Sequence, residues 1–514
     1  MVISADSSSP PAVFPAASAA KPLILIIGAG VSGLLLAQHL KREGIPYRIF
    51  ERDADLATRG AGWGLTLHWS LTALQSLLPP SLAERICDES SVDRWADRRG
   101  EASRFPFFDL VSGELKTQTP GAVKSARIRV TRERLRKLLA EGIEIEWGKT
   151  LREFQTSDDG TVSALFEDGT SCIGTLLVAC DGGQSRVRRA LFPEESKLLM
   201  QLPVQTMGVK ILLTAEQIAP IRKLDLYFLQ GGSPQNNSFM YISVLDVPGN
   251  QVDSNPDIFS CQLHVSWPYH PGSGAAALAV PATNKERYEL MRSFAKTWAE
   301  PFRSLVLNNV YPETEIKRLD VLDWAPPKGL RSKGQVVLMG DAFHLMSMCK
   351  CLPVLSPWFP SESVFVKFTD PLLFSGVTAT ITNILGNGLA AFAYSISDRG
   401  EGANHAIVDV RDFATHIVPQ LALDRGSSSN AASQQSTQQG QGQDFRQALR
   451  QALDGYEDAV VSRSRPGVLA SRRACLDAHS FSRLFGEEAT GVSPLLSKRE
   501  MMLQFDDEST ELMN

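Results

Sequence analysis

The chain has 514 residues, of which 43% are hydrophobic and 21% are charged, and its formal net charge is -5. This length allows a large core and more than one domain, and the mildly negative charge argues against nucleic acid or an anionic membrane as a partner. The seven scattered cysteines indicate a reduced, intracellular and cytoplasmic protein, and their spacing predicts no metal site.

The first domain is predicted to begin after a disordered N-terminus. Residues 1–20 are rich in Ser, Ala and Pro and lack the basic and apolar regions of a secretory signal. The next segment reads as a strand, a helix stopped by Gly44, and a second strand, at residues 23–27, 31–43 and 47–50. This order implies a right-handed crossover within a parallel sheet, and we assign residues 21–200 to this domain.

Three glycines follow the first predicted strand in the pattern G-x-G-x-x-G, namely Gly28, Gly30 and Gly33. In dinucleotide-binding proteins the first allows a tight turn, the second lets the backbone approach a pyrophosphate, and the third permits close packing of helix on strand. Glu51, at the end of the second strand, is placed to accept hydrogen bonds from an adenosine ribose. The glycines alone could form a plain turn, but with this context they predict a dinucleotide site.

The sequence pattern changes after residue 200. Short runs of β-branched and aromatic residues alternate with Gly, Pro and Asn clusters, at residues 209–213, 226–229, 239–245 and 259–265. They predict a mainly antiparallel sheet over residues 201–325, inserted into the first domain. A buried strand at 336–339 then returns the chain to that domain, whose second part we assign to residues 326–425.

The C-terminal part is predicted to be helical. A polar low-complexity tract, residues 426–444, is predicted to be a linker that loops out between helices at 407–423 and 445–463. We assign residues 445–514 to C-terminal helices and a tail.

Three further segments resemble motifs of FAD-dependent monooxygenases of the aromatic (phenol or para-hydroxybenzoate) hydroxylase type, in a form typical of fungal secondary metabolism. They are LVACDGGQSRVR at 177–188, the strand at 336–339 running into GDAFH, and GEGANHAIVD at 400–409. The resemblance implies an α/β fold in which a Rossmann-like parallel sheet binds FAD, a mainly antiparallel substrate domain is inserted, and the C-terminus is helical.

The resemblance also implies roles for individual residues. Asp341 would bind a ribityl hydroxyl of FAD, Gly64 would let the backbone approach the flavin, and Arg132 would contact FAD. Ala403 and Asn404 would begin a helix that faces the isoalloxazine ring, where the positive end of the helix would stabilise reduced flavin.

Asp181 and Arg188 match positions that serve both FAD and the nicotinamide cofactor. Tyr241 matches a position that can touch substrate and is our candidate catalytic residue, although core packing would equally explain a tyrosine there. Asp341 as a helix cap and Arg132 as a surface residue are the alternatives to their cofactor roles. His344 is given no catalytic role.

The activity implied by the resemblance is a monooxygenation with NAD(P)H and O2 as co-substrates. Reduced FAD would form a C4a-hydroperoxide that transfers one oxygen atom to a small aromatic or polyketide-derived substrate. A flavin-dependent halogenase or another FAD oxidoreductase is the alternative, although the W-x-W-x-I-P stretch of halogenases is absent. Hydroxylation or ring expansion, NADH or NADPH, and the oligomeric state are left open.

Residues 349–398 have no counterpart in the family and interrupt a loop that is expected to contact flavin. Loops of this length are uncommon in compact domains. We hypothesise that the segment is a translated, unspliced intron, because the codons of Cys349 and Lys350 can contain the splice donor GTAAG. The rival hypotheses are a real insertion and a flavin-free, non-functional product. The apolar stretch 372–396 contains two asparagines and three glycines and is not predicted to cross a membrane.

Overall fold

The computed structural model describes residues 22–58, 63–101, 103–118, 127–270, 278–347, 402–427, 438–486 and 493. The predicted disordered N-terminus and the predicted insertion at 349–398 lie outside these residues. The strands are β1 Ile24–Ile27, β2 Tyr47–Phe50, β3 Gly64–Leu67, β4 Phe107–Asp109, β5 Leu115–Thr117, β6 Ile128–Thr131, β7 Ile145–Glu146, β8 Leu151–Thr156, β9 Val162–Phe166, β10 Ser171–Gly174, β11 Leu176–Ala179, β12 Met200–Gln201, β13 Val204–Thr214, β14 Phe228–Gly232, β15 Phe239–Asp246, β16 Ile258–Pro268, β17 Ile316–Leu319, β18 Leu322–Asp323 and β19 Val336–Leu338. The helices are α1 Val31–Arg42, α2 Leu71–Leu77, α3 Pro80–Ala83, α4 Ile86–Ser90, α5 Arg94–Arg99, α6 Arg132–Leu139, α7 Arg186–Leu191, α8 Ala215–Arg222, α9 Asn284–Ala295, α10 Phe302–Asn309, α11 Gly402–His416, α12 Val418–Ser427, α13 Gln438–Ala478 and α14 Phe481–Phe485.

One layer is a parallel sheet of five strands in the order β19-β11-β1-β2-β7. Every neighbouring pair is parallel, and β1, β11 and β19 are buried apolar runs, as expected of strands covered on both faces. α1 ends at Arg42, and Gly44 follows with a φ of 65°. The predicted strand–helix–strand unit is therefore confirmed to within one residue.

A second layer is a seven-stranded sheet in the order β17-β13-β16-β15-β14-β4-β5. Its neighbours are antiparallel except for the parallel pair β14 and β4, so the predicted substrate sheet is found. Its core side packs on α9 and α10 through residues such as Met291 and Phe302. Two strands of this sheet, β4 and β5, come from the segment that we assigned to the first domain. They are distant in the chain from β14, with which β4 pairs.

The C-terminal part is helical, as predicted, with different boundaries. The predicted helix 407–423 is divided at Ile417 into α11 and α12. α13 is one helix of 41 residues that begins inside the predicted linker and contains Pro466 without ending there. α11 packs on both α1 and α13, which brings its first turn close to Gly340 at the end of the parallel sheet.

Two classes of feature are absent from the part of the chain that the structure describes. No helix there is both long and apolar enough to cross a membrane. No group of His, Cys, Asp and Glu side chains there is arranged to hold a metal ion.

Candidate active site

The glycine loop lies between β1 and α1. Gly28 has a φ of 106°, and a Cβ on it would lie 2.4 Å from the carbonyl oxygen of Cys180. A Cβ on Gly33 would lie 2.0 Å from the carbonyl oxygen of Gly28, whereas a Cβ on Gly30 would meet no other atom within 4 Å. The protein's own packing therefore requires the first and third glycines, and Gly30 borders open space that a ligand can fill.

Glu51 is buried at the end of β2, where it organises this loop. Its carboxylate accepts hydrogen bonds from the backbone N–H groups of Ala29 at 2.7 Å and Asp53 at 3.1 Å. Arg136 of α6 donates from Nε to the Ala29 carbonyl at 2.7 Å and lies 3.7 Å from the Glu51 carboxylate. No sequence pattern singled out Arg136, which adds a buried positive charge beside the predicted adenosine site.

Asp181 follows the end of β11, and Arg188 lies in α7, the helix that comes next in the chain. Asp181 accepts a hydrogen bond from the Arg186 N–H at 2.8 Å, while its Oδ1 is buried without a hydrogen-bond partner among the described residues. Arg188 donates to the backbone carbonyls of Asp341 and Ala342 at 3.3 and 3.1 Å, and burial lowers its pKa to about 10. Arg188 therefore ties the segment after β11 to the segment after β19.

Asp341 and Arg132 line the same cavity. Desolvation by the surrounding protein raises the pKa of Asp341, although the neighbouring His344 and Arg132 act in the opposite direction. Arg132 begins α6, and its N–H donates to the Trp63 carbonyl at 2.9 Å. Both residues thus border the space that the predicted cofactor would occupy.

The first turn of α11 opens on this cavity. It contains no acidic residue, and Gly402, Ala403 and Ala406 line the cavity, so the positive end of the helix dipole faces open space. Asn404, by contrast, is fully buried. Its Oδ1 accepts from the Ser70 hydroxyl at 2.7 Å and from the His68 N–H at 3.2 Å, and its Nδ2 donates to the Thr66 carbonyl at 3.0 Å.

Beneath the α11 start lies a buried ion-pair network. Asp409 accepts a hydrogen bond from the Gly340 N–H at 2.8 Å and contacts His344 Nε2 at 2.7 Å and the Arg463 guanidinium. Burial alone would raise the pKa of Asp409, but His344 and Arg463 outweigh it and hold that pKa below its usual range. His344 thus has a buried carboxylate as its partner.

Gly64 and Tyr241 line the cavity beside a buried arginine. A Cβ on Gly64 would lie 2.5 Å from an Arg129 guanidinium nitrogen, so any larger residue there would have to displace the arginine side chain. Arg129 donates to the hydroxyls of Tyr241 at 2.9 Å, Ser243 at 2.7 Å and Thr66 at 2.7 Å. No carboxylate within the described ranges forms an ion pair with it. Burial raises the pKa of Tyr241, and Arg129 opposes that rise.

A cavity of about 460 Å³ joins the predicted flavin residues to the substrate sheet. Gly30, Arg132, Asp341 and Ala403 lie on one side of it, and Gln262, His264 and Ser266 of β16 lie on the other with Tyr241. A smaller neighbouring cavity, about 100 Å³, is lined by Gly28, Glu51, Asp181 and Arg136. The structure therefore gathers the predicted site residues around two cavities, with Gly33 and the Asn404 side chain supporting them from within the protein.

Similarity to known proteins agrees with this arrangement. Residues 22–246 match the family described as FAD binding domain. A probable FAD-dependent monooxygenase of Arthroderma benhamiae is 36% identical over 502 residues, which cover 96% of this chain and 98% of that protein. The chain belongs to the FAD-dependent monooxygenases. This monooxygenase is also 38% identical to the FAD-dependent monooxygenase dbaB of Emericella nidulans, over 69% of this chain and 89% of that one.

Solved structures share the fold of the monooxygenase. 2,6-Dihydroxypyridine-3-hydroxylase from Arthrobacter nicotinovorans superposes with a TM-score of 0.60 at 17% identity, covering 93% of this chain and 97% of that chain. Klebsiella pneumoniae HpxO, solved with FAD and uric acid, gives a TM-score of 0.55 at 17% identity, covering 96% and 94%.

The residues of the monooxygenase fit FAD. Gly30 borders open space, Asp181 presents a buried oxygen that has no partner among the described residues, and α1 begins without a side-chain cap or an acidic residue in its first turn. A dinucleotide with a pyrophosphate supplies groups that complement each of these features.

Proposed function

We propose that this monooxygenase uses NAD(P)H and O2 to hydroxylate a small aromatic or polyketide-derived substrate. The cavity of about 460 Å³ carries the proposal, because it is lined by cofactor residues on one side and by polar and aromatic residues of the substrate sheet on the other. In such a cavity a small molecule can lie directly against a bound flavin, and the cavity walls exclude water from the flavin.

FAD would be held along the two cavities. Glu51 and Arg136 line the smaller cavity, which suits the adenosine half, and Gly30 with the start of α1 suits the pyrophosphate. Arg132 and Asp341 are the candidates for the ribityl chain, and the first turn of α11 for the ring. When bound, FAD supplies the redox chemistry, in which NAD(P)H provides two electrons, one atom of O2 enters the substrate and the other leaves as water.

The substrate side of the cavity favours an electron-rich aromatic compound. Arg129 places a buried positive charge behind the Tyr241 hydroxyl, and a hydroxyl that accepts from a guanidinium is polarised toward donating its own hydrogen. Trp63 and Phe239 add aromatic surface. A substrate oxygen that carries partial negative charge would be bound at Tyr241, and electron density on that oxygen activates the ring carbons beside it.

Reconstitution with FAD tests this function. The purified chain is loaded with FAD, and NADH and NADPH oxidation is followed with a panel of phenols of one to three rings. Isotopically labelled O2 is expected to place one labelled atom in the product, with no dependence on chloride or bromide. Halide-dependent substitution would show a halogenase instead, and flavin loading without any oxygen transfer to the panel would contradict aromatic hydroxylation.

A further inference from the structure

His479, just beyond the end of α13, reaches the substrate sheet and contacts one residue of the cavity wall. Its Nε2 lies 2.8 Å from the hydroxyl oxygen of Ser266 on β16, and its Nδ1 lies 2.7 Å from the carbonyl oxygen of Cys475. Ser266 and His479 are each 5% exposed. Ser266 lines the cavity of about 460 Å³, so this pair lies at the border between the protein interior and the place for a substrate.

The two contacts of His479 determine which atoms carry hydrogen. A carbonyl oxygen can only accept, so Nδ1 must carry the ring hydrogen and donate it to Cys475. In the neutral imidazole Nε2 then has no hydrogen and accepts one from Ser266. Burial lowers the pKa of His479 to about 4, which keeps the ring neutral near pH 7.

The hydrogen of the Ser266 hydroxyl is therefore committed to His479. What remains of that hydroxyl for a cavity ligand is the oxygen with its lone pairs, which accepts hydrogen bonds and cannot donate one. Serine hydroxyls ordinarily rotate to suit either kind of partner. Here the hydrogen bond to the His479 imidazole prevents the Ser266 hydroxyl from rotating. The cavity wall therefore presents the Ser266 oxygen as a hydrogen-bond acceptor only.

The sheet register places this acceptor relative to Tyr241. Ser266 is paired with Phe239 on β15, and Tyr241 is paired with His264 two residues away on β16. Diagonal neighbours of this kind lie on the same face of the sheet with their backbones roughly 7–8 Å apart, so one aromatic substrate that carries two oxygens can contact both side chains. One substrate oxygen near Tyr241 and a second near Ser266 would fix the ring in one orientation.

We propose that Ser266 binds a hydroxyl group of the substrate as an acceptor, and that His479 is the positioning residue that holds it in that state. The inference rests on the proposed function and narrows its substrate to aromatic compounds that carry at least two oxygen substituents, one of them a free hydroxyl. A substrate O–H group can donate a hydrogen bond to the Ser266 oxygen. A substrate with an ether or carbonyl oxygen at that position has no hydrogen to donate and therefore binds more weakly.

Calorimetric binding to the full-length, FAD-loaded chain tests the proposal, with naphthoresorcinol (a two-ring aromatic diol) and its dimethyl ether as probes. The wild type is expected to bind the diol about tenfold more tightly than the ether. Ser266→Ala should lower the affinity for the diol about tenfold and bring it within about twofold of the affinity for the ether. A purely steric effect would instead raise the affinity for the ether and leave the diol unchanged, and it would overturn the proposal.

Variants at His479 separate positioning from a structural role. His479→Phe removes the acceptor for the Ser266 hydrogen and should abolish the preference for the diol, whereas His479→Gln keeps an oxygen that can accept it and should restore the preference. Equal preference in both variants, or a wild type that binds no diol, would contradict the proposal. Failure of oxygen transfer with the diol preference retained would count against the proposed function alone.

Discussion

Gly30 and Gly33 belong to one sequence motif but have different surroundings. Gly33 is packed against the Gly28 carbonyl, and Gly30 faces open space. The sequence motif predicts different roles for the two glycines, and in the structure only Gly33 is confined by the protein's own atoms, which leaves Gly30 as the one that a ligand would need. That difference can be measured.

Gly30→Ala is expected to weaken FAD binding more than tenfold while changing the free energy of unfolding of the apoprotein by less than about 0.5 kcal/mol. The added methyl group occupies space that the pyrophosphate would approach. Gly33→Ala is the matched control and should lower stability by about 1–3 kcal/mol through overpacking. FAD titration by fluorescence and urea unfolding measure the two effects. Equal loss of stability in both variants would show that Gly30 serves the fold.

Tyr241→Phe is expected to reduce kcat/KM about tenfold to a hundredfold, because it removes the hydroxyl that Arg129 polarises toward the cavity. Tyr227→Phe is the control, since the Tyr227 hydroxyl is also buried but donates to Asp97 at 2.7 Å outside the large cavity. Steady-state kinetics should find the control close to the wild type. Full activity in Tyr241→Phe would leave Tyr241 as a packing residue.

Only some of the residues of the candidate active site could be predicted from the sequence. Gly28, Gly30, Gly33 and Glu51 were predicted from the glycine motif and its flanking strands, and Asp341 only from the resemblance to the monooxygenases. β16 also carried a usable signal, because Gln262, His264 and Ser266 alternate with apolar residues and so share one face. The contact of Ser266 with His479 joins residues 213 positions apart, and no local pattern encodes a pairing that the fold alone creates.

At the scale of elements, the position of α11 depends on Asn404. Its side chain makes three hydrogen bonds to β3 and to the segment between β3 and α2, and these fix the helix start against the cavity. An asparagine buried in this way holds the helix in register, since any displacement would leave polar groups without partners.

Asn404→Ala is expected to lower the free energy of unfolding by about 1–3 kcal/mol and to weaken FAD binding as well. Asn404→Asp retains the acceptor for Ser70 and loses the donor to the Thr66 carbonyl, so it should fall between the wild type and the alanine variant. Chemical unfolding and FAD titration are the measurements. Normal FAD affinity in a destabilised Asn404→Ala protein would mean that the α11 start keeps its place without this side chain.

The end of α13 should make stability sensitive to acid. Burial lowers the pKa of His479 from 6.5 to about 4, so between these values the unfolded chain binds a proton that the folded protein does not. This residue therefore leaves the free energy of unfolding unchanged above pH 6.5 and lowers it by up to about 3 kcal/mol as the pH falls toward 4. His479→Gln should show a correspondingly shallower decline, with the exposed His270→Gln as control. Parallel declines in all three proteins would exclude this contribution.

The elements were predictable to different degrees for physical reasons. β1 and α1 were placed within one residue because a continuous apolar run, a glycine turn and Gly44 mark their ends. β4 and β5 have three residues each and gain their stability from a distant partner strand. α13 continues through Pro466, where buried Val468, Leu469 and Ala470 pack on the protein, so tertiary packing outweighs the local penalty of proline.

At the scale of the whole molecule, the chain on either side of residues 348–401 comes together. A Cβ on Gly402 would lie 4.0 Å from the Cβ of Met346 and 3.8 Å from the Asp341 carboxylate. The two flanks therefore adjoin beside the cavity. This proximity supports the hypothesis that residues 349–398 are an unspliced intron, because a short connection is sufficient there.

A chain that lacks residues 349–398 is expected to fold and to bind FAD at least as tightly as the full-length chain. FAD titration and thermal unfolding of both proteins measure this, and sequencing of the mature transcript shows which form is made. A shortened chain that loses FAD binding while the full-length chain retains it would overturn the intron hypothesis and establish a real insertion.

The order of strands in the parallel sheet has a consequence for how the enzyme is made. β1, β11 and β19 are adjacent in the sheet, yet they leave the ribosome at very different times, and α11 follows later still. Sheets built from such distant segments close slowly, and larger chains tend to pass through partly folded species. We expect cofactor capture to be a late event in biosynthesis, so that supply of the vitamin precursor during expression limits the yield of active enzyme.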